Sequence, residues 1–443
     1  MIKKTLLFVY LLGLSLMASA AGDLQVYATI KGGDDAANAT DLNAYFAANP
    51  VPEYSELTEF IYNLQAGKYY KVTKELNFGA SPGKPIILRC EDETKRAYLA
   101  MGDDDAGFIV PNSFILEGIN ITCGASTRPL ITLNDAPDAS LIPTVVTRPT
   151  AYYRINSLNI TNCDIKGLAG SLMYDSGQQY CVVRLTIYNM LLALNTTTDA
   201  VKIGSLLSFY GGGVKEFSIR NSTVYQTSAT GNPQYFLRYG NAARIDRYGY
   251  NTDESKYDPE KTKITYLNNT FYKVASGNWA NYSSLQYGTI YDVQRNIWVE
   301  CSGTSGQIAR RMYGNGRIAD EATNYSTATW NYNTYVTEGA IKAQLNSDGS
   351  QIYDTGTQLQ TLPGFADPDN GDFTISGADQ LYYMTGDTRW IPDGAGICQT
   401  ASTGDQRPAE VFDLSGRKLN QIMPSQLNIV RMSDGTTKKV VLK

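Results

Sequence analysis

The chain has 443 residues, with 39 Gly, 32 Tyr and a formal net charge of −5 at neutral pH. That balance excludes a nucleic-acid binder, which needs a basic face. Histidine is absent, which removes His-based acid–base chemistry, Ser-His-Asp and Cys-His nucleophiles and His-containing metal sites.

Residues 1–20 read as a signal peptide. Lys3 and Lys4 form a charged start, residues 5–17 are apolar, and Ala18-Ser19-Ala20 has the form of a cleavage site. The expectation is an exported protein, extracellular or on the outer cell surface, with the periplasm as the alternative. No later stretch approaches ~18 consecutive apolar residues, so no transmembrane segment is expected in the mature chain. The six cysteines are Cys90, Cys123, Cys163, Cys181, Cys301 and Cys398. Their wide spacing without a CxxC pair argues against zinc and for small buried residues.

Residues 24–30 alternate as a strand, and residues 42–48 suit a short helix. A clearer helix is expected over 56–66. Leu57, Phe60, Ile61 and Leu64 make one apolar stripe, Ser55 can cap its start and Gly67 its end. Such a helix would cover the open end of a strand stack. Strands follow at 69–72, 85–90 and 108–110, with an acidic turn at Asp103, Asp104 and Asp105 that is a weak calcium candidate.

From Phe114 an eight-residue phrase takes over: apolar, any, apolar, any, Asn, any, any, apolar. Its copies start at Phe114, Leu158, Leu185, Phe217, Ile264, Tyr291 and, more loosely, Ala328. The fifth positions are Gly118, Asn162, Asn189, Asn221, Asn268, Arg295 and Tyr332. Alternation at the first and third positions is a strand signature. Repeated short strands at steps as short as 27 residues predict stacked coils. Asn at a bend tolerates the left-handed conformation, and its amide can bond to the Asn of the next coil. Arg295 and Tyr332 depart from this, which predicts differently bent final coils.

The phrase is interrupted at 226–263. This insertion carries Arg238, Arg244 and Arg247, the acids Asp246, Asp253 and Glu254, and the rings Tyr235, Tyr239, Tyr248 and Tyr250. A second polar stretch at 303–319 carries Arg310, Arg311 and Arg317. Insertions in solenoids often build the binding face. Arg238, Arg244 and Arg247 are candidate catalytic bases, the acids candidate calcium ligands, and the tyrosines candidate sugar-stacking rings. Solvated ion pairs and aromatic packing are the plainer readings of the same residues.

Beyond Tyr335 come an aspartate- and aromatic-rich end, FADPDNGDFTIS with GDTRW, then a linker at 396–408 and a tail at 409–443 with three short strands. The expected division is signal peptide 1–20, cap and first coils 21–110, β-helix core 111–338, end of the β-helix domain 339–395, linker and tail.

The phrase, the leading helix and the FADPDNGDFTIS…GDTRW end resemble pectate-lyase-like domains of unknown function from exported Bacteroidetes proteins, over roughly 55–391. The resemblance implies a right-handed parallel β-helix and a setting of polysaccharide use. The polygalacturonases of that fold class carry GHG and RIK motifs, and this chain has neither. Asn251-Thr252-Asp253 alone does not replace them. The tail AEVFDLSGRKL…LNIVRM…KKVVLK resembles the C-terminal sorting domain of type IX secretion, which implies that machinery as a partner. The expectation is therefore an all-β, right-handed parallel β-helix (a solenoid) with an N-terminal capping helix and a small C-terminal β-sandwich-like tail. Its expected function is polysaccharide or surface-glycan binding or processing, with binding favoured. The alternatives are a lyase on an acidic (uronate) glycan with an Arg or Lys base, and an adhesin or structural spacer.

Overall fold

The computed structural model describes residues 26–52, 57–78, 84–92, 94–102, 105–110, 112–133, 153–175, 180–195, 204–209, 213–226, 233–239, 263–282, 290–303, 306–308, 327–345, 357–392, 408–412, 418–419, 427–432 and 437–441. Residues 1–20, read from the sequence as a signal peptide, lie outside them. Strands order into three long sheets of 10, 11 and 7 members, and a separate sheet of four. Each described pairing in the long sheets is parallel except the final hairpin, where Val336 opposes Ile341. The chain is a right-handed parallel β-helix.

The phrase sets the register. In sheet 1, Leu158 pairs with both Phe114 and Leu185, and Ile264 with both Phe217 and Tyr291, which in turn pairs with Ala328. In sheet 2 the eighth positions align: Val224 with Phe271, Phe271 with Trp298, Trp298 with Tyr335. The bend between the two sheets is left-handed at every fifth position, Gly118, Asn162, Asn189, Asn221, Asn268, Arg295 and Tyr332. The expectation that Arg295 and Tyr332 mark different bends is corrected. Their φ values, 55° and 57°, match those of the asparagines. Closure of the coil demands this backbone whatever side chain occupies it.

Contacts divide the chain into two compact units. The first takes the chain to Met190 with Leu207–Lys215, and the second takes Leu191–Leu206, Glu216–Tyr239 and the later coils. In the first unit, Phe78, Phe108 and Phe114 pack with ring centroids 5.4 to 6.1 Å apart. The helix Leu42–Ala48 is capped by Asp41, whose carboxylate accepts from the Asn43 and Ala44 amides. It sets Phe46 edge-on against Tyr62 and Phe78. The longer helix expected over 56–66 is instead the strand Phe60–Leu64, paired in parallel with both Val26–Ile30 and Ile86–Cys90. Ile61 is buried as fully as Phe60, Tyr62 and Leu64, so both faces of the strand are covered. Apolar residues then fall on both sides, and the spacing imitates a helical stripe.

The second unit has an aromatic interior. Phe271, Trp298 and Tyr335 stack along the coil axis, with centroids 5.6 and 5.2 Å apart, and Phe236 stacks on Trp279 at 4.4 Å. Beside them runs a buried amide ladder at the sixth phrase position. Asn269, Asn296 and Asn333 donate from Nδ2 to the carbonyls of Ile219, Tyr266 and Val293, at 2.9–3.0 Å. Their Oδ1 atoms accept from the backbone amides of Ser222, Asn269 and Asn296. At the corner the sheet hydrogen bonds stop, and these side chains satisfy the groups left over.

Cys90, Cys163 and Cys301 are buried free thiols, as expected, while Cys123 is partly covered. The tail is one antiparallel sheet, ordered Lys418–Leu419, Pro408–Phe412, Leu427–Met432, Thr437–Val441.

Candidate functional site

Outward positions of sheet 2 follow the seventh phrase residue, and the two units treat them differently. In the second unit this row is Thr223, Thr270, Ile297 and Thr334, all buried. The segment 357–391 lies over it. The Thr223 hydroxyl donates to the Asp387 carboxylate at 2.7 Å, and the Trp390 indole donates to the same hydroxyl at 2.7 Å. The Asp387 amide donates to Thr270 Oγ1 at 3.1 Å, and Gln380 Nε2 to Thr334 Oγ1 at 2.9 Å. Phe373 and Ile375 pack on Tyr272, Ile297, Val299 and Val336.

The GDTRW residues are therefore a fastening. Gly386 sits at φ 98°, and a Cβ there would come within 2.8 Å of Ile297 and 3.0 Å of Ile375. Burial pushes the Asp387 carboxyl up, while Arg389 and Thr223 draw it back. Arg389 Nε lies 2.9 Å from its carboxylate. The acidic turn in FADPDNGD also binds inward. Asp369 accepts from Lys273 at 2.7 Å and from the Tyr272 hydroxyl at 2.9 Å, and Asp372 accepts from Thr374. Lys273 and Tyr272 hold the Asp369 carboxyl below the usual carboxylate range.

In the first unit the corresponding face is open. One row across its strands is Tyr69, Tyr98, Asn120 and Asp164, and the next is Lys71, Ala100, Thr122 and Lys166. Tyr69 and Tyr98 stack, with centroids 4.8 Å apart and planes 15° apart, and Tyr98 is 42 % exposed. Alternation places both outward, because their neighbours Tyr70 and Leu99 point into the core. Arg96 bridges the next rungs, 2.6 Å from Asp164 Oδ1 and 3.4 Å from Asn120 Oδ1. The Arg96 guanidinium thus lies over Asn120, between the Tyr98 strand and Asp164. Thr122 and Lys166 are exposed on the next row. Together the two rows offer a ring face, amide and guanidinium donors, a carboxylate acceptor and nearby ammonium charges.

Among the sites expected from the sequence, Tyr235 and Arg238 lie on the strand Tyr235–Tyr239 of sheet 3, where the Arg238 guanidinium carbon is 5.8 Å from the Tyr235 ring centroid. Tyr239 pairs with Tyr282 in the ladder. Arg244, Asp246, Arg247, Tyr248, Tyr250, Asp253 and Glu254 lie outside the described residues, as do Asn251, Thr252, Arg310, Arg311 and Arg317. So do Asp103 and Asp104, while Asp105 pairs with Arg128 at 2.8 Å. Among the described residues no group of three acids or cysteines is placed to hold a metal. Of the expected calcium ligands, only Asp105 falls within that set.

The residues of this outward row were not singled out from the sequence, because Tyr69 and Tyr98 precede the first copy of the phrase. Aligning sheet 2 backwards from Ile121 to Leu99 and Tyr70 would have put both rings on the outward row.

Two family models match. One, a domain of unknown function (DUF4957), covers residues 81–227, and the other, also a domain of unknown function (DUF5123), covers residues 264–390. The second match ends at Trp390, so it takes in the fastened segment as well as the last coils. No curated protein matches the chain, and no solved structure does.

Proposed function

We propose that this is an exported β-helix protein that binds polysaccharide on the open face of sheet 2 in its first unit. The observation that carries the reading is the Tyr69–Tyr98 stack, with Tyr98 exposed, beside the Arg96–Asp164 pair. A soluble sheet face ordinarily presents scattered polar side chains. A half-exposed ring next to fixed donors and acceptors suits a ligand with one apolar face and many hydroxyls, which describes a sugar ring. Lys71 and Lys166 on the adjoining row make the face tolerant of acidic glycans. Export rests on the charged and apolar leader at 1–20, and the likeness of the 409–443 tail to a sorting domain supports type IX secretion. The likeness to pectate-lyase-like domains supports the same polysaccharide setting.

Affinity electrophoresis through gels loaded with individual plant and bacterial polysaccharides tests this. At least one polysaccharide is expected to retard the protein, and Tyr98→Ala to weaken that retardation about tenfold, ~1.4 kcal/mol. Equal retardation of Tyr98→Ala and wild type in every gel would remove the assignment of this face.

A further inference from the structure

We infer that the bend between sheets 1 and 2 in the second unit carries a second glycan-binding site, built by Arg295, Tyr332, Tyr382 and Tyr383. This rests on the polysaccharide reading above and extends it to a separate surface. Five of the seven bend positions hold Gly or Asn, the residues that adopt a left-handed backbone most easily. Arg295 and Tyr332 adopt the same backbone without that ease. Neither gains a buried core position in return, for both stay partly exposed. Residues that go against local preference outside the core mark places where a chain serves something other than its fold.

What the two residues build is specific. Tyr332 stacks on Tyr383 at 4.3 Å with planes 14° apart, and Tyr383 meets Tyr382 at 4.8 Å and 81°. The Arg295 guanidinium carbon lies 5.9 Å from the Tyr332 ring centroid. Tyr382 is 58 % exposed, and no carboxylate pairs with Arg295 among the described residues. Tyr382 and Tyr383, at right angles, form an aromatic corner, and Arg295 lies over Tyr332, the ring stacked on Tyr383. A glycan chain fits this chemistry: the C–H face of one sugar lies on Tyr382 with its edge to Tyr383, and oxygens farther along the chain accept from Arg295. Either vicinal hydroxyls or a uronate carboxylate can supply those oxygens.

The test uses the full-length protein in gels containing polygalacturonate or neutral laminarin, with thermal melts of each variant. Tyr382→Ala and Arg295→Asn are both expected to weaken retardation about tenfold in at least one gel. Arg295→Asn restores the easier bend residue, so its melting temperature should equal or exceed that of wild type. A loss confined to the polygalacturonate gel assigns a carboxylate to Arg295, and a loss in both gels assigns hydroxyls. If both variants are retarded like wild type while Tyr98→Ala is not, this site is overturned and the first one stands. If wild type runs freely in both gels, both sites are overturned for these two glycans.

Discussion

Asn296 shows how much one side chain can hold at a coil corner. Its amide donates to the Tyr266 and Gln294 carbonyls and to Asn333, and it accepts from both nitrogens offered by Asn269. Truncation leaves several buried polar groups without partners, each costing about 1–3 kcal/mol. Asn296→Ala is therefore expected to lower stability by about 3 kcal/mol, read as a shift in the urea midpoint at constant slope. The fifth-position residues answer to a different constraint. Asn162 at φ 54° should accept Gly with little loss, whereas Asn162→Val should cost about 1–2 kcal/mol more. Thermal melts of the pair check the difference. The fifth column was legible in the sequence because a left-handed bend narrows the choice of residue. The sixth was not, because an inward corner position accepts Ile119, Cys163 or Met190 as readily as an amide. Only the Asn268-Asn269 doublet, with Asn296 and Asn333 in the same column, pointed to the ladder.

The segment 357–391 behaves as an element although it holds little regular structure. Phe373 is fully buried, with edge contacts to Tyr225, Tyr272, Phe365 and Trp390. Phe373→Ala is expected to cost about 3–5 kcal/mol and to raise hydrogen exchange at Thr223 and Thr270, whose sheet face it helps cover. Asp387 gives the same segment a pH signature. Its folded carboxyl is raised from the ordinary 3.8, so above that value the folded chain holds the proton more tightly than the unfolded chain. Stability from this group thus falls as pH rises from 3.8 through the folded value, and is level above it. Asp387→Asn should flatten that part of the melting temperature–pH curve. An unchanged slope would show that other groups set it. The sequence displayed the segment's residues and hid their purpose, since FADPDNGD reads equally well as a metal loop or as a fastening. The helix misread over 56–66 has a related cause: a strand covered on both faces loses the alternation that identifies it.

At the scale of the whole molecule, the repeat made the fold readable and left the function to be found in the departures from it. From Phe114 onward, strand register and bend positions follow from one phrase, because stacking forces equivalent residues into equivalent surroundings. Surface chemistry has no such constraint. The outward seventh position reads as any residue, yet it is the row that is open beside Tyr98 in the first unit and covered by Asp387 and Trp390 in the second. The proposed function rests on a ring face set among donors and acceptors in the described residues, a chemistry that suits a sugar ring. The central claim, that this β-helix holds polysaccharide without cutting it, is tested most directly by incubating wild type with a polysaccharide that retards it. The chain length of the recovered polysaccharide and its ultraviolet absorbance for a new unsaturated bond are then followed. The account predicts retardation with unchanged length and no new absorbance. Shortened chains or a rising absorbance would contradict it.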